Sequence, residues 1–559
     1  VRLRTAFAVF AVLLGTAASA YAGDPIMPLS QVKPGMKCKG YTVIRGTDIT
    51  SFDVEVVDVF EQRPYAPAIL VRVSGPAVAN GGVAAGFSGS PIYCDDGSGP
   101  RNAGAIAEVV GDYGNNLALA TSIEEILREP LFPPSPQARR LRAAAAARVP
   151  APPLTVAGLS RPVERALVAT ARRGGRQVIA APKAAGLAGP FEPLKPGSSA
   201  AVGLSSGDLW IGGVGTVAYV DGTTAWLFGH PFEGVGRRSL LLQQAYVYTV
   251  VGNPDPALGS YKLASPGADI GTVTNDGLAA VVGQMGTLPR TTDVQVTARD
   301  ADSAYSQQTQ VQVADESGVD LSAGYSPLSL VGPLAVADAS SRALRSVPSR
   351  ETGSMCVRIT LVGEAQPLRI CNRYVTQLAG GVGGGMADDV ANAITAIDDA
   401  EYAPLSVERV DAELDLRRGA QQAYMLGATI PRSVRRGTAV TVSLRTRMLR
   451  GALRRFDFKL RIPSSLRPGE HVLTLSGPSA DESGEIGGAV GDIIVLDGGG
   501  SGTAPARSFD ELKSQIAKIG RWDGVVARFT GGGGSRIRAY LDPAVRIGGT
   551  LKLRLRVSG

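Results

Sequence analysis

Short runs of alternating apolar and polar residues recur along most of this chain, separated by Gly, Pro, Asn and Asp. YTVIRG (41–46), FDVEVVDVF (52–60) and AILVRV (68–73) each show one apolar face at a period of two, the pattern of half-buried strands. GAIAEVV (104–110) and LALATSIEEIL (117–127) follow, the latter running into a short helix. Together they predict a compact β unit over 23–130, of roughly 100 residues, the size of a small domain. FPPSPQARRLRAAAAARVPAPP (132–153) has proline at both ends and reads as a linker. The linker region is drawn over 131–195, with a short helix at Ser160–Arg173 that has Pro162 in its first turn. A second β unit, 196–400, holds LWIGGVGTVAYVDGTTAWLFGHPF (209–232), two strands about an Asp221-Gly222 turn, a strong hairpin signal. AYVYTVV, YKLASPGADIGTVTNDGLAAVVGQMG and the alternating TTDVQVTA come next, and Met386–Ala400 reads as a helix.

From about Val407 the spacing changes. DAELDLR, QAYMLGATI, GTAVTVSLRTR, LRRFDFKLRI and HVLTLSG are evenly spaced strands with polar alternation, which predicts an Ig-like β-sandwich over 401–480. A Gly-rich loop and a small α+β region fill 481–559, with a helix at Ser508–Ile519 whose Ser508 and Glu511 form a capping box. The fold expected is therefore mainly β: two β units, then the sandwich, then the small C-terminal region.

Composition and charge narrow the classes. With 559 residues, 70 Gly, 36 Pro and 19% charged residues, the chain suits several turn-rich β domains. The net charge of +7, from 57 Lys+Arg against 50 Asp+Glu, is diffuse. It fits solubility or attraction to an envelope surface, and no aromatic-interleaved basic motif points to nucleic acid. Arg2 and Arg4, the apolar Ala6–Leu14 and Ala20-Tyr21-Ala22 read as a secretory signal peptide over 1–22, cleaved after Ala22; an uncleaved anchor is the alternative. No later stretch reaches about 20 uninterrupted apolar residues, so no transmembrane segment is expected after cleavage, and the mature protein is expected to be secreted or extracytoplasmic. Four cysteines in an exported chain invite pairing. Cys356 and Cys371 flank a hairpin-like VRITLVGEAQPLRI and form the first expected disulfide; Cys38 and Cys94 form the second. Two histidines leave no Cys/His zinc spacing, and neither metal nor cofactor is expected.

The candidate chemistry centres on Gly86-Phe87-Ser88-Gly89-Ser90-Pro91. Glycines around a serine permit a sharp turn, and the N–H groups of Gly86 and Ser88 can converge on an oxyanion. The arrangement is similar to the G-x-S-G-G-P of trypsin-like enzymes, with Ser88 as nucleophile. A base is needed within reach. His471 lies inside a sandwich strand, whereas His230 follows an apolar strand between Gly229 and Pro231 and is the expected base. Asp276, Asp269, Asp221 and Asp112 are candidates for the acid that orients the imidazole, Asp276 first and Asp221 as a turn residue.

FDVEVV, ILVRV, GGVAAGFSGSPI, GAIAEV and ATSIEEIL, taken in order, resemble the serine half of the SpoIVB-type serine peptidases, named for the stage-IV sporulation protease B. GVGTVAYVDGTTAWLFGHPF and the following YKLASPGADIGTVTNDGLAAVVGQMG are similar to the histidine half. The resemblance implies a trypsin-like two-barrel fold and a Ser/His/Asp endopeptidase acting on proteins or peptides, with Ser88 as nucleophile and His230 as base. Two departures stand out. The serine segment precedes the histidine segment here, the reverse of the family order. Ser74 stands at or next to the family's acid position, with no carboxylate nearby. A dyad, an acid from elsewhere such as Asp276, or an inactive pseudoprotease serving as an envelope binding or scaffold module through its sandwich all remain open. An α/β-hydrolase reading wants alternating strands and helices, which this strand-rich chain lacks.

Overall fold

The computed structural model describes residues 23–60, 68–110, 114–133, 152–183, 193–253, 259–319, 326–345, 348–376, 381–477, 504–519, 524–529, 537–540 and 545–559. The signal-peptide segment 1–22, Asp112, most of the Pro/Ala/Arg-rich tract and the Gly-rich stretch lie outside them.

The first β unit is a closed barrel. Strands β1 (Lys37–Val43), β2 (Ile49–Phe60), β3 (Ala68–Ser74), β4 (Pro91–Cys94), β5 (Arg101–Val109) and β6 (Leu117–Ser122) pair in the circular order β1-β2-β3-β6-β5-β4. Alternation turns Phe52, Val54 and Val56 inward with Ile69, Val71 and Val73 from β3. Helix α1 (Ile123–Arg128) follows directly, capped by Ser122, whose side chain accepts from the Glu125 N–H.

The second unit repeats that order. Its ring strands are β9 (Ser199–Gly203), β11 (Trp210–Asp221), β12 (Thr224–Leu227), β13 (Gly236–Val251), β14 (Tyr261–Asp276) and β15 (Val281–Met285). Pairings β9–β11, β11–β12, β12–β15, β15–β14, β14–β13 and β13–β9 close a ring. Counted along the chain, this is again first-second-third-sixth-fifth-fourth. The expected linker is partly structured. β7 (Leu154–Ala157) pairs with the start of β11, β8 (Val178–Ala181) runs parallel to β7, and α2 (Arg161–Arg173) is the crossover between them. Four-residue strands carry too little periodicity to be read from sequence.

The expected His unit does not run to residue 400. β10 (Ser205–Gly207), β16 (Thr291–Asp300), β17 (Ser306–Ala314), β18 (Glu351–Leu361), β19 (Leu368–Thr376) and β20 (Val407–Arg418) form a separate sheet, ordered β10-β17-β16-β20-β18-β19. Helices α3 (Pro327–Ala343) and α4 (Gly383–Asp398) pack together, and α3 covers this sheet. α3 is buried on nearly every side, so it shows no amphipathic period and escapes a pattern reading. DAELDLR belongs to β20 and lies at the centre of this sheet, between β16 and β18, so it does not open the sandwich.

The sandwich itself runs to the C-terminal strands. β21 (Gln422–Thr429), β23 (Ala439–Met448), β24 (Leu453–Arg461) and β28 (Arg546–Gly548) form one sheet. β22 (Ser433–Arg435), β25 (Gly469–Ser476), β26 (Gly524–Phe529), β27 (Ile537–Tyr540) and β29 (Thr550–Ser558) form the other. The expected separate α+β region is thus divided. Its strands complete the sandwich core, and helix α5 (Phe509–Ile516) packs on α4 and β19. Ser508 caps α5 by accepting from Glu511 N–H, and Glu511 reaches back to the Arg507 N–H, one residue earlier than expected.

Both expected disulfides are formed. Cys38 and Cys94 face each other across β1 and β4 with Cα atoms 4.3 Å apart, and Cys356 and Cys371 across β18 and β19 at 4.1 Å. Among the described residues no helix is long and apolar enough to cross a membrane. Cys38–Cys94 closes a loop of sequence separation 56 against 15 for the other pair. Loop entropy then makes it the larger stabiliser, at about 4 kcal/mol against about 3 kcal/mol. Thermal melts of Cys38→Ser/Cys94→Ser and Cys356→Ser/Cys371→Ser double variants should rank in that order.

Candidate active site at the barrel seam

Ser88 lies on a loop of the first barrel that is bonded to the second. Gly86 and Gly89 adopt φ of +94° and +89°, which glycine takes at little steric cost. A Cβ on Gly89 would lie 2.0 Å from the Thr216 carbonyl oxygen and 2.6 Å from Phe228 N, so only glycine permits this approach. The Ser88 carbonyl accepts from Thr216 N–H at 2.8 Å, and Gly89 N–H donates to the Ile106 carbonyl at 2.7 Å.

The loop amides alternate in their use. Phe87 N–H donates to the Ala84 carbonyl at 2.9 Å and Ser90 N–H to the Phe87 carbonyl at 2.8 Å. Among the described residues the N–H groups of Gly86 and Ser88 have no acceptor. Their peptide units are nonetheless pinned from behind. The Ala85 carbonyl accepts from Lys262 N–H at 2.8 Å, and the Phe87 carbonyl also accepts from Ser90 Oγ at 2.6 Å. In a trans peptide C=O and N–H point in opposite directions, so the first bond aims the Gly86 N–H away from β14 and the second aims the Ser88 N–H away from Ser90. The pair named from sequence as an oxyanion site is the pair left without a partner.

His230 is delivered to the same seam. β12 ends at Leu227, and Phe228 and Gly229 then turn the chain with φ of +71° and +69°. A bulky residue in that region is uncommon and stores about 1–3 kcal/mol. Buried contacts hold it there. Phe228 N–H donates to the Thr216 carbonyl at 3.2 Å, and Thr121 Oγ1 donates to the Gly229 carbonyl at 2.6 Å. Thr216 thus joins the serine loop to the histidine turn.

The His230 Nδ1 lies 2.7 Å from the Pro231 carbonyl oxygen. A carbonyl only accepts, so Nδ1 carries the proton and Nε2 keeps its lone pair, the tautomer a base needs. Burial lowers the pKa of His230 below 6.5, against the smaller raising effect of the Pro231 bond. Ser88 Oγ donates to the Ala107 carbonyl at 3.3 Å, and no Ser88–His230 hydrogen bond is formed. The two residues are brought to one seam without a hydrogen bond between them, as in many sites without bound substrate.

Among the described residues no carboxylate touches His230. Asp276 accepts from the N–H groups of Phe232, Glu233 and Gly234 at 2.7, 2.7 and 2.8 Å. Its expected role as the acid bonded to the imidazole is therefore replaced by a grip on the loop just after His230. Burial raises Asp276 to about 6, although Arg238 and the backbone bonds oppose this. Arg238 forms a buried bidentate pair with Glu316 and a further pair with Glu233, which also meets Arg176. Burial alone would raise Glu233, but Arg238 and Arg176 outweigh it and bring it to about 2. Asp269 accepts from Gln243 Nε2 at 2.6 Å, Asp221 sits exposed at the hairpin turn, and exposed Ser74 faces Asp53 across β2 and β3.

Sequence reasoning missed Thr216, the Pro231 carbonyl and Lys262. Only Lys262 had a readable signal, since in YKLASPG it falls on the same face as the buried Ala264.

Asp276→Ala would strand three amides, two of them on the buried residues Phe232 and Gly234. At about 1–3 kcal/mol for each unsatisfied buried group, stability should fall by at least about 2 kcal/mol in urea titration. Comparison with family models, curated proteins and solved structures finds no match to this chain.

Proposed function

We propose that the chain is an exported serine endopeptidase of the SpoIVB type, with Ser88 as nucleophile and His230 as base. The observation that carries this reading is the pair of unpartnered amides of Gly86 and Ser88, on a loop tied to the turn that bears His230. The twice-repeated barrel order supports it, as does a proton-bearing Nδ1 that leaves Nε2 free. In this mechanism Ser88 Oγ attacks the carbonyl carbon of a peptide bond as its proton passes to His230 Nε2. The oxyanion accepts from the two amides. His230 returns the proton to the leaving nitrogen, the C–N bond breaks, and the acyl group stays on Ser88 until water repeats the sequence. The Pro231 carbonyl orients the ring but carries no full charge, so it stabilises the imidazolium less than a carboxylate. The basic and apolar N-terminal residues support export, and the two disulfides fit an oxidising compartment. The sandwich is assigned to contacts with envelope partners.

A second reading, a binding or scaffold module on the same fold, is favoured by one observation: among the described residues no acid reaches His230. A fluorophosphonate probe separates the two. The parent should label at Ser88, and Ser88→Ala and His230→Ala should abolish labelling. The rate should rise with pH through a midpoint below 6.5, as the imidazolium loses its proton. A parent that does not label, yet retains a cooperative melt, would leave the binding module.

A further inference from the structure

Lys262 is fully buried on β14, in the seam beneath the Ser88 loop. Among the described residues no carboxylate pairs with it. Its Nζ donates to three hydroxyls, Thr42 Oγ1 at 2.9 Å, Thr216 Oγ1 at 3.0 Å and Ser199 Oγ at 3.3 Å. Three N–H donors facing three hydroxyl acceptors match an ammonium. Burying such a charge without an ion pair is expensive, and burial lowers its pKa to about 7. A lysine held this way is disfavoured by stability alone, which raises the question of what it does there.

Its contacts run along the oxyanion loop. The Lys262 backbone N–H holds the Ala85 carbonyl. Its methylenes lie under Gly86, where a Cβ would stand 3.0 Å from Cδ and 3.1 Å from Cβ and Cγ of the lysine. Its Nζ is 5.1 Å from the Phe87 ring centroid. Thr216 Oγ1, which accepts from Nζ, donates its own proton to the Gly86 carbonyl at 2.9 Å. The ammonium therefore fixes the direction of the Thr216 hydroxyl, and that hydroxyl fixes the peptide unit between the two free amides.

We propose that Lys262 is a positioning residue for the Ser88 oxyanion loop, acting through Thr216. The inference rests on the reading of Ser88 as a nucleophile. Without the ammonium, the Thr216 hydroxyl can turn to Thr42 Oγ1, 3.3 Å away, and release the Gly86 carbonyl. The loop then samples orientations in which the amides diverge, while the surface that binds the probe is unchanged.

The test is fluorophosphonate labelling of Ser88 at saturating probe, with the inactivation rate and the probe's binding constant measured separately. Lys262→Met and Thr216→Val should each lower the rate roughly ten- to a hundredfold, up to the range seen on losing one oxyanion donor, with binding constants within about twofold. The double variant should be no slower than the slower single variant, because both act through one link. Thr216→Ser, which keeps the hydroxyl, should label like the parent; if Lys262→Met fails to fold, a Thr216→Val variant that labels like the parent still overturns the inference. Parent-like rates in the single variants, additive losses, or a loss confined to binding would overturn the role of Lys262 alone. A parent that does not label would overturn the serine reading, and this inference with it.

Discussion

The close approach of Gly89 to β11 sets the geometry of the seam. With no side chain in the way, the loop backbone comes near enough for Ser88 to accept from Thr216 and for Gly89 to donate to Ile106. The Thr216–Ser88 bond crosses from one barrel to the other, the Gly89–Ile106 bond anchors the loop to its own barrel, and both are short-range. A displacement of an ångström would break them and leave buried amides unsatisfied, at about 1–3 kcal/mol each. The Ser88 loop and the His230 turn thus share a fixed frame, although they are separated by a long stretch of chain.

Polar groups do much of the work in that frame. The Arg238–Glu316–Glu233 network stands behind the His230 loop, and Asp276 grips the amides just after it. Buried ion pairs of this kind add little net stability, because desolvation offsets their attraction. Breaking one leaves an uncompensated charge, so they act on geometry more than on the overall balance. Lys262 is the extreme case, a buried cation whose hydrogen bonds, among the described residues, go to hydroxyls.

Repetition of one strand order in both barrels places the serine and histidine segments on two similar scaffolds. Each scaffold brings a loop to the shared seam, so the order in which the halves occur along the chain matters little to the site. Beyond the barrels, period-two alternation looks the same in every sheet. That is why β20 reads like the first strand of the sandwich although it pairs with β16 and β18. The same limit hides α3, whose burial on nearly all sides erases the contrast from which a helix is recognised.

Local chemistry was legible in the residues themselves. Alternation marked the strands, glycines around Ser88 marked a sharp loop with two candidate donors, Asp221-Gly222 marked the hairpin, and the cysteines flanked segments that pair. What orients His230 was not legible, because a Pro231 carbonyl leaves no trace in residue type and Asp276 is an aspartate whichever group it binds. Sheet membership, the closure of the second barrel and the seam are set by contacts between residues far apart in the chain. Sequence by itself determined most of the longer strands and which side chains carry candidate chemistry. Tertiary structure alone decided which of those side chains meet, since hydrogen-bond partners across a seam are selected by backbone approach and burial, which no local pattern encodes.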